Sequence, residues 1–215
     1  MFNNLRLEEQ IEHKRAYEFI KRAMDVICSL IGLIVLLPIL LLVSVFIKIE
    51  SKGSVIFSQE RVGMNGKIFE MYKFRSMVVD AETLKESLIK QNERRSSPMF
   101  KMKNDPRITK VGKFIRKTSI DELLQLVNIL KGDMSIVGPR PSLPKEVEKF
   151  EGWMIKRLNV KPGLTCYWQV AGRNDIEFRE WMKLDVRYVE ERNIIIDAKL
   201  IFKTFFVLFG DENAS

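Results

Sequence analysis

The sequence predicts a mixed α/β fold, mainly helical, in which a compact domain with a small sheet follows a long apolar N-terminal helix. Three observations predict it. Val26–Ile47 is a run of 22 residues without a charge. Segments 119–131 and 178–191 carry apolar residues at helical spacing. Two short β-type runs flank the turn Gly63-Met64-Asn65-Gly66. These divide the chain into a re-entrant membrane helix over 14–49 and a compact domain over 50–210 that faces the cytoplasm.

Length and composition bound the rest. The chain has 215 residues, enough for one domain with a core and a small appendage. With 36 Lys+Arg against 28 Asp+Glu, its formal net charge is +8. That balance suits an anionic partner: nucleic acid, anionic lipid or a phosphorylated substrate. Cys28 and Cys166 have no metal-type spacing and form no disulfide framework, which places the domain in the cytoplasm. The sole histidine, His13, leaves no material for a Ser-His-Asp triad, a His-ligated zinc or a Cys-His dyad. Catalysis must therefore rest on carboxylates, on Lys and Arg, or on a hard metal held by oxygen. There is no G-x-G-x-x-G. Gly66-Lys67 and Gly112-Lys113 lack a following Ser or Thr, so no Walker A loop is present.

The apolar run is long enough to span a bilayer and has no cleavage site after it. Pro38 lies inside it. Proline removes a backbone donor and clashes with the preceding turn, so a kink or break is expected there. The limbs would be roughly 18 and 14 Å long at ~1.5 Å per residue, each about half a hydrocarbon core. Both flanks are basic: Lys14, Arg15, Lys21 and Arg22 before, Lys48, Lys52, Arg61 and Lys67 after. Positive residues favour the cytoplasmic side. The pattern fits a helix that dips in and returns to one face; a kinked single-pass helix is the alternative.

The elements follow in order. Val55–Ser58 and Ile68–Phe74 read as strands, Val79–Gln91 as a helix, and 92–104 as a polar loop. Residues 119–131 read as the clearest helix. Ser119 is its expected N-cap, Glu122 the N3 partner of a capping box, Ile120, Leu123, Leu124 and Val127 its buried stripe, and Gly132 its end. Pro139-Arg140-Pro141 fixes an extended loop. Lys145–Asn159 reads as a helix, Val160–Gly172 as loop and short strand, and Phe178–Glu191 as a helix. Ile194–Phe209 is apolar yet contains Asp197, Lys199 and Lys203, which leaves interfacial membrane contact and core packing equally open.

Asp121-Glu122 is the first candidate for chemistry. In the first turn of a helix, free N–H groups and the dipole favour an ionised carboxylate, as a nucleophile must be. The same residues also read as ordinary helix-start acids, with Glu122 only closing its box. Lys110, Lys113, Arg116 and Lys117 cluster just upstream, Arg140 is held between two prolines, and Arg173 follows Gly172. Arginine presents a planar fork of donors suited to phosphate; a solvated basic face or contact with anionic lipid is the plainer reading. Lys73 and Arg75 alternate with aromatics, as nucleic-acid binders or half-buried strands do.

The matching stretches are Lys21-Arg22 with Asp25, Gly53-Ser54-Val55-Ile56-Phe57 followed by Gln59, Arg61 and Gly63, and Tyr72-Lys73-Phe74-Arg75-Ser76-Met77. They continue through Asp105-Pro106-Arg107-Ile108-Thr109 and the long run from Gly112 to Pro141. Lys161-Pro162-Gly163, Gly172-Arg173-Asn174 and Asp185 to Val189 complete them. In these the chain resembles the bacterial sugar transferases, also called monotopic phosphoglycosyl transferases, from about Lys21 to Phe209. The resemblance implies transfer of a sugar-1-phosphate from a UDP-sugar to polyprenyl (undecaprenyl) phosphate, with UMP released. This would be the first membrane step of glycan assembly, such as exopolysaccharide biosynthesis. It implies Asp121 as covalent nucleophile, Glu122 as its dyad partner and Mg²⁺ near Asp121. Arg116 is implied as a phosphate contact and Pro139-Arg140-Pro141 as the loop near the nucleotide, with Lys73, Arg173 and Asp185 as further substrate-binding residues. Pro38 would be the membrane re-entrant break, although Leu37-Pro38 stands where the family often has Ser-Pro. The place implied is the cytoplasmic face of the bacterial inner membrane.

Two other classes compete. A non-catalytic, membrane-tethered adaptor of polysaccharide assembly predicts no turnover with any UDP-sugar. A nucleic-acid binder predicts tight, salt-sensitive binding, and the apolar run argues against it. The sequence leaves open the sugar, the glycan made and a homodimer.

Overall fold

A computed structural model describes residues 2–81, 83–84, 102, 105–171 and 176–210. The chain is mainly helical, as the sequence predicts, and has two small sheets where the sequence predicts one. Helix α1 (Phe2–Glu50) leads into a hairpin of β1 (Ile56–Val62) and β2 (Ile68–Phe74). Then come α2 (Lys110–Lys117), a 3₁₀ turn at Ile120–Glu122, α3 (Gln125–Lys131) and β3 (Ser135–Val137). After these lie α4 (Pro144–Val147), a 3₁₀ segment (Gly152–Asn159), β4 (Gly163–Thr165), α5 (Tyr167–Val170), α6 (Phe178–Glu191) and α7 (Ile194–Gly210).

Strands β1 and β2 pair antiparallel from Ile56↔Phe74 to Val62↔Ile68. Asn65, with φ 56°, and Gly66, with φ 79°, close the hairpin between them. Asparagine and glycine tolerate the left-handed region that such a turn demands. Strand β1 runs four residues beyond the expected Ser58, because Gln59–Val62 find partners on β2. Strands β3 and β4 pair in parallel, Ser135↔Gly163 and Val137↔Thr165.

The expected break at Pro38 does not interrupt α1: the helix runs continuously from Phe2 to Glu50 with the proline inside. Packing explains it. Leu33, Leu36, Leu40, Val43 and Ile47 repeat at three- and four-residue spacing across the proline and enter one cluster with Phe74 and Ile115. A break would take this stripe out of register, whereas continuity costs one backbone hydrogen bond. The other face stays bare: Ile27, Ile31, Ile34, Val35, Leu41, Leu42, Val45, Phe46 and Ile49 are exposed. By length and composition, Lys14–Glu50 could cross a membrane.

The compact domain touches this helix on both sides of its uncharged run. Before the run, the Lys21 ammonium donates to Asp197 of α7 at 2.8 Å. Arg22 donates to the Ile129 and Leu130 carbonyls at 2.6 and 2.8 Å, closing the C-terminus of α3. At the far end, the Glu50 carboxylate accepts from the backbone N–H of Lys110 at 2.7 Å and of Val111 at 3.0 Å. The Thr109 hydroxyl takes the next N–H, that of Gly112, at 2.9 Å. So α1 and Thr109 together cap α2, and the negative charge of Glu50 meets the positive end of its dipole.

Other expectations change in detail. The helix expected over 145–159 is split into α4 and a 3₁₀ segment. Most of the helix expected over 79–91, and nearly all of the loop at 92–104, fall outside the described residues. Asp197 is fully buried against Lys21 and Tyr188, so the inner face of α7 packs into the core. Its outer face leaves Phe202, Phe205 and Phe206 exposed.

Candidate active site

The sequence places Asp121 in the first turn of a capped α-helix, and the structure corrects this. Ser119 sits in the left-handed region at φ 55° and makes no N-cap bond. Asp121 and Glu122 instead occupy a separate 3₁₀ turn before α3. Positive φ at a non-glycine residue costs on the order of 1–3 kcal/mol and recurs where function constrains backbone. The Glu122 side chain closes no box, because two cations claim it.

Those cations come from different elements. Lys73, on β2, donates to Glu122 Oε1 at 2.7 Å. Arg140 reaches the same carboxylate with Nη2 at 2.7 Å and Nη1 at 3.3 Å. Strand β2 is fixed to α3 by Asn128, fully buried, which accepts from Tyr72 N–H at 2.9 Å and donates to the Glu70 carbonyl at 2.7 Å. This side-chain pairing to a strand edge holds Lys73 at the height of Glu122.

Arg140 is positioned through its backbone. Arg61 donates to the Pro141 carbonyl at 3.1 Å, and Val62 N–H to the Ser142 carbonyl at 2.9 Å. Gly163 N–H donates to the Pro139 carbonyl at 3.0 Å. Arg157 donates to the Arg140 carbonyl at 2.6 Å and also to the Ser142 hydroxyl. The two glycines are required here. A Cβ at Gly138 would overlap the Lys161 carbonyl oxygen, and one at Gly163 would overlap Gly138 N. Only bare backbones can approach so closely.

Asp185 is fully buried and binds Arg157 at 2.7 and 3.0 Å, and through Arg157 it braces the Pro139-Arg140-Pro141 loop. Arg157, absent from the sequence candidates, is the link; its signal in the sequence, one Arg in a basic helix-like stretch, was no stronger than its neighbours'. Burial pushes the Asp185 carboxyl up to about 6, with the Arg157 guanidinium acting against it. Arg116, at the end of α2, is exposed and near enough for its charge to act on Asp121. Arg173 lies outside the described residues.

The electrostatics separate the two acids. Burial, and then the negative charge of Glu122, push the Asp121 carboxyl up to about 6, against the pull of Lys73, Arg116 and Arg140. Glu122 is buried too, but Arg140 and Lys73 outweigh that and hold it well below the usual carboxylate range. Burial lowers Lys73, and the Glu122 charge raises Arg140. Glu122 is thus a fixed anion locked between cations, and Asp121 a poised carboxylate beside it, ionised at neutral pH yet basic for its kind. Such a group can attack an electrophilic phosphorus while neighbouring cations hold the phosphate oxygens.

Comparison with known proteins shows what the chain is similar to. The sequence model of the bacterial sugar transferase family matches residues 16–211. A galactosyl transferase, CpsE, of Streptococcus agalactiae serotype III is 48% identical over 200 residues, 91% of this chain and 43% of that protein. An undecaprenyl-phosphate galactose phosphotransferase of Salmonella typhimurium is 44% identical over 214 residues, 98% of this chain and 44% of that protein. The exopolysaccharide production protein ExoY of Sinorhizobium fredii is 39% identical over 189 residues, 86% of this chain and 83% of that protein. The chain therefore spans less than half the length of the first two relatives and most of the third. With the family match covering Asp121, Glu122, Lys73 and Arg140 alike, the chain belongs to the bacterial sugar transferase family.

Proposed function

We propose that this chain transfers a sugar-1-phosphate from a UDP-sugar to a polyprenyl phosphate, at the cytoplasmic face of the bacterial inner membrane. The observation that carries the reading is the unequal pair: Glu122 is tied up by Lys73 and Arg140, whereas Asp121 has no hydrogen bond or ion pair with a described residue and is the carboxylate of the pair open to attack a substrate. The acceptor class comes from the Salmonella relative, whose name specifies undecaprenyl phosphate.

In the first step an Asp121 oxygen attacks the β-phosphorus of the donor. The bond from that phosphorus to the bridging oxygen breaks, UMP leaves with the electron pair, and a phosphosugar remains on Asp121. In the second step an oxygen of the polyprenyl phosphate attacks the same phosphorus and Asp121 is released. Arg140 and Arg116 stand to hold phosphate oxygens, and Lys73 keeps Glu122 in place. Among the described residues no group of three or more His, Cys, Asp or Glu converges on a metal position. The donor set still fits Mg²⁺, which is commonly bound by one or two carboxylates with substrate phosphates and water. Asp121 would hold it, and when bound it would supply positive charge to the diphosphate.

Membrane attachment from one side completes the reading. A straight crossing by the 22 uncharged residues would set their ends about 30 Å apart, on opposite faces. Yet one charged domain binds Arg22 before them and Glu50 after them. The bare face of α1 then lies in lipid while its packed face carries the domain, which keeps Asp121 near the headgroups where a lipid-borne phosphate arrives.

The test is UMP release from a panel of UDP-sugars, beginning with UDP-galactose, before any lipid acceptor is added. The proposal expects one equivalent of UMP per enzyme with the right sugar and turnover on adding undecaprenyl phosphate. A tethered adaptor would release none with any sugar.

A further inference from the structure

A second cationic feature lies at the other end of α3 from Asp121. A cavity of about 290 Å³ opens between the stretch of α1 just before its uncharged run, the 3₁₀ segment at 152–159 and the end of α6. Glu18, Lys21, Arg22, Asp25, Lys161 and Arg192 bring charge to its walls. At roughly 1.5 Å per residue, α3 and the turn before it put this cavity about 15 Å from the carboxylate pair.

Most of these charges are already engaged. Lys21 is bound to Asp197 at 2.8 Å and Arg192 to Glu18 at 3.3 Å. Asp25 accepts from the Ser135 hydroxyl at 3.0 Å and from Ile136 N–H at 2.9 Å. Arg22 spends two N–H groups on the carbonyls that end α3.

Lys161 differs. It is half-buried and has no hydrogen bond or ion pair with any described residue. Its ammonium lies 3.6 Å from the position a Cβ would take at Gly132, and Arg22 Nη2 lies 3.7 Å from the same point. Two like charges thus converge within about 7 Å. Burial and the Arg22 charge both lower the proton affinity of Lys161, with Asp25, Glu18 and Asp133 acting the other way. Those three acids are near enough to be felt and make no ion pair with it.

A phosphate resolves this geometry. Its oxygens are about 2.5 Å apart, and two charge-assisted bonds of about 2.8 Å would let it reach both cations at once. The cavity far exceeds the ~10–15 Å³ that admits one water, so a small organic substituent fits beside the phosphate. We propose that this cavity binds a phosphate group, borne by a lipid headgroup or free in solution, through Lys161, Arg22 and Arg192, apart from the Asp121–Glu122 centre. The inference does not depend on the transferase reading. Only the lipid source draws on the membrane reading, because the cavity lies one turn before the apolar run begins at Val26.

The test uses the full chain in uncharged detergent micelles with two probes, inorganic phosphate and dihexanoyl phosphatidic acid. Saturable binding is followed by calorimetry and by the rise in melting temperature. Lys161→Gln is expected to weaken binding at least tenfold and to leave UMP release unchanged. Arg192→Gln, which stays clear of the α3 carbonyls, should weaken it severalfold and carries the test if Lys161→Gln misfolds. Saturation by both probes assigns a site for the phosphate alone, and saturation by the lipid only assigns the headgroup. The proposal is overturned if neither probe saturates the wild type, or if both variants fold and bind like it.

Discussion

At the residue scale the account turns on Asp121 and Glu122 having opposite environments. The chemistry needs Asp121 ionised, and its carboxyl is pushed up to about 6. Transfer should therefore fall about tenfold per pH unit below that value and level off above it, as a pH profile of UMP release under saturating donor would record. Because the acids interact, the break belongs to the pair. The same shift acts on stability. An acid whose folded value lies above its unfolded value of about 3.9 favours folding fully only below the latter, and that advantage disappears as pH rises through about 6. Asp121→Asn should thus abolish transfer while making the protein about 1–3 kcal/mol more stable at pH 8 than the wild type. Thermal unfolding at pH 8 and pH 4 checks this, since the gain should vanish at the lower pH. The sequence displayed both acids and the Pro139-Arg140-Pro141 loop plainly. It gave no sign that Lys73, far away in the chain, shares Glu122 with Arg140, because only the fold brings β2 against α3. Asp185 stood out in the sequence, but its tie to Arg157 did not. Its partner Arg157 sits in an unremarkable stretch, and replacing that arginine by leucine would leave a buried carboxylate unpaired. The expected cost is about 3–5 kcal/mol, read as a fall in denaturation midpoint together with loss of transfer.

At the element scale, local pattern was a good guide wherever one helix or strand decides its own limits. Phe178–Glu191 and Ile68–Phe74 have the ends that periodicity predicts. Gly132 stops α3 in the left-handed region, φ 91°, as a C-terminal glycine should. The pattern misled where tertiary contacts override it. Ser119 and Glu122 have the spacing of a capping box, but the two cations on Glu122 outweigh the one N–H it would satisfy. Pro38 has the look of a break, but the stripe from Leu33 to Ile47 packs straight through it. The cap on α2 was illegible for a similar reason: Glu50 is 60 residues from Lys110. Removing that carboxylate by Glu50→Ala should cost about 0.5–1 kcal/mol, visible in denaturant unfolding. Gly138→Ala should cost at least about 1–3 kcal/mol by forcing β3 and β4 apart, and should reduce transfer by displacing Arg140.

At the scale of the whole molecule, the apolar helix and the domain form one body. The bare face of α1 and the exposed Phe202, Phe205 and Phe206 of α7 give it two apolar surfaces. One-sided attachment predicts that Arg15→Cys and Lys52→Cys, each in a Cys28→Ser background, are labelled from the same side of sealed vesicles. Labelling from opposite sides would establish a crossing helix. The composition marks a helix apolar and long enough to cross a membrane; the one-sided attachment proposed for it depends on contacts before and after its uncharged run, which no local stretch encodes. The central claim is that this body holds Asp121 ready to take a phosphosugar onto its own side chain. The most direct measurement is the intact mass of the protein after quenching with a UDP-sugar donor and no acceptor, followed by peptide mapping. The account predicts a mass gain of one sugar phosphate, located on Asp121 and discharged by polyprenyl phosphate. UMP release with an unmodified Asp121 would contradict it.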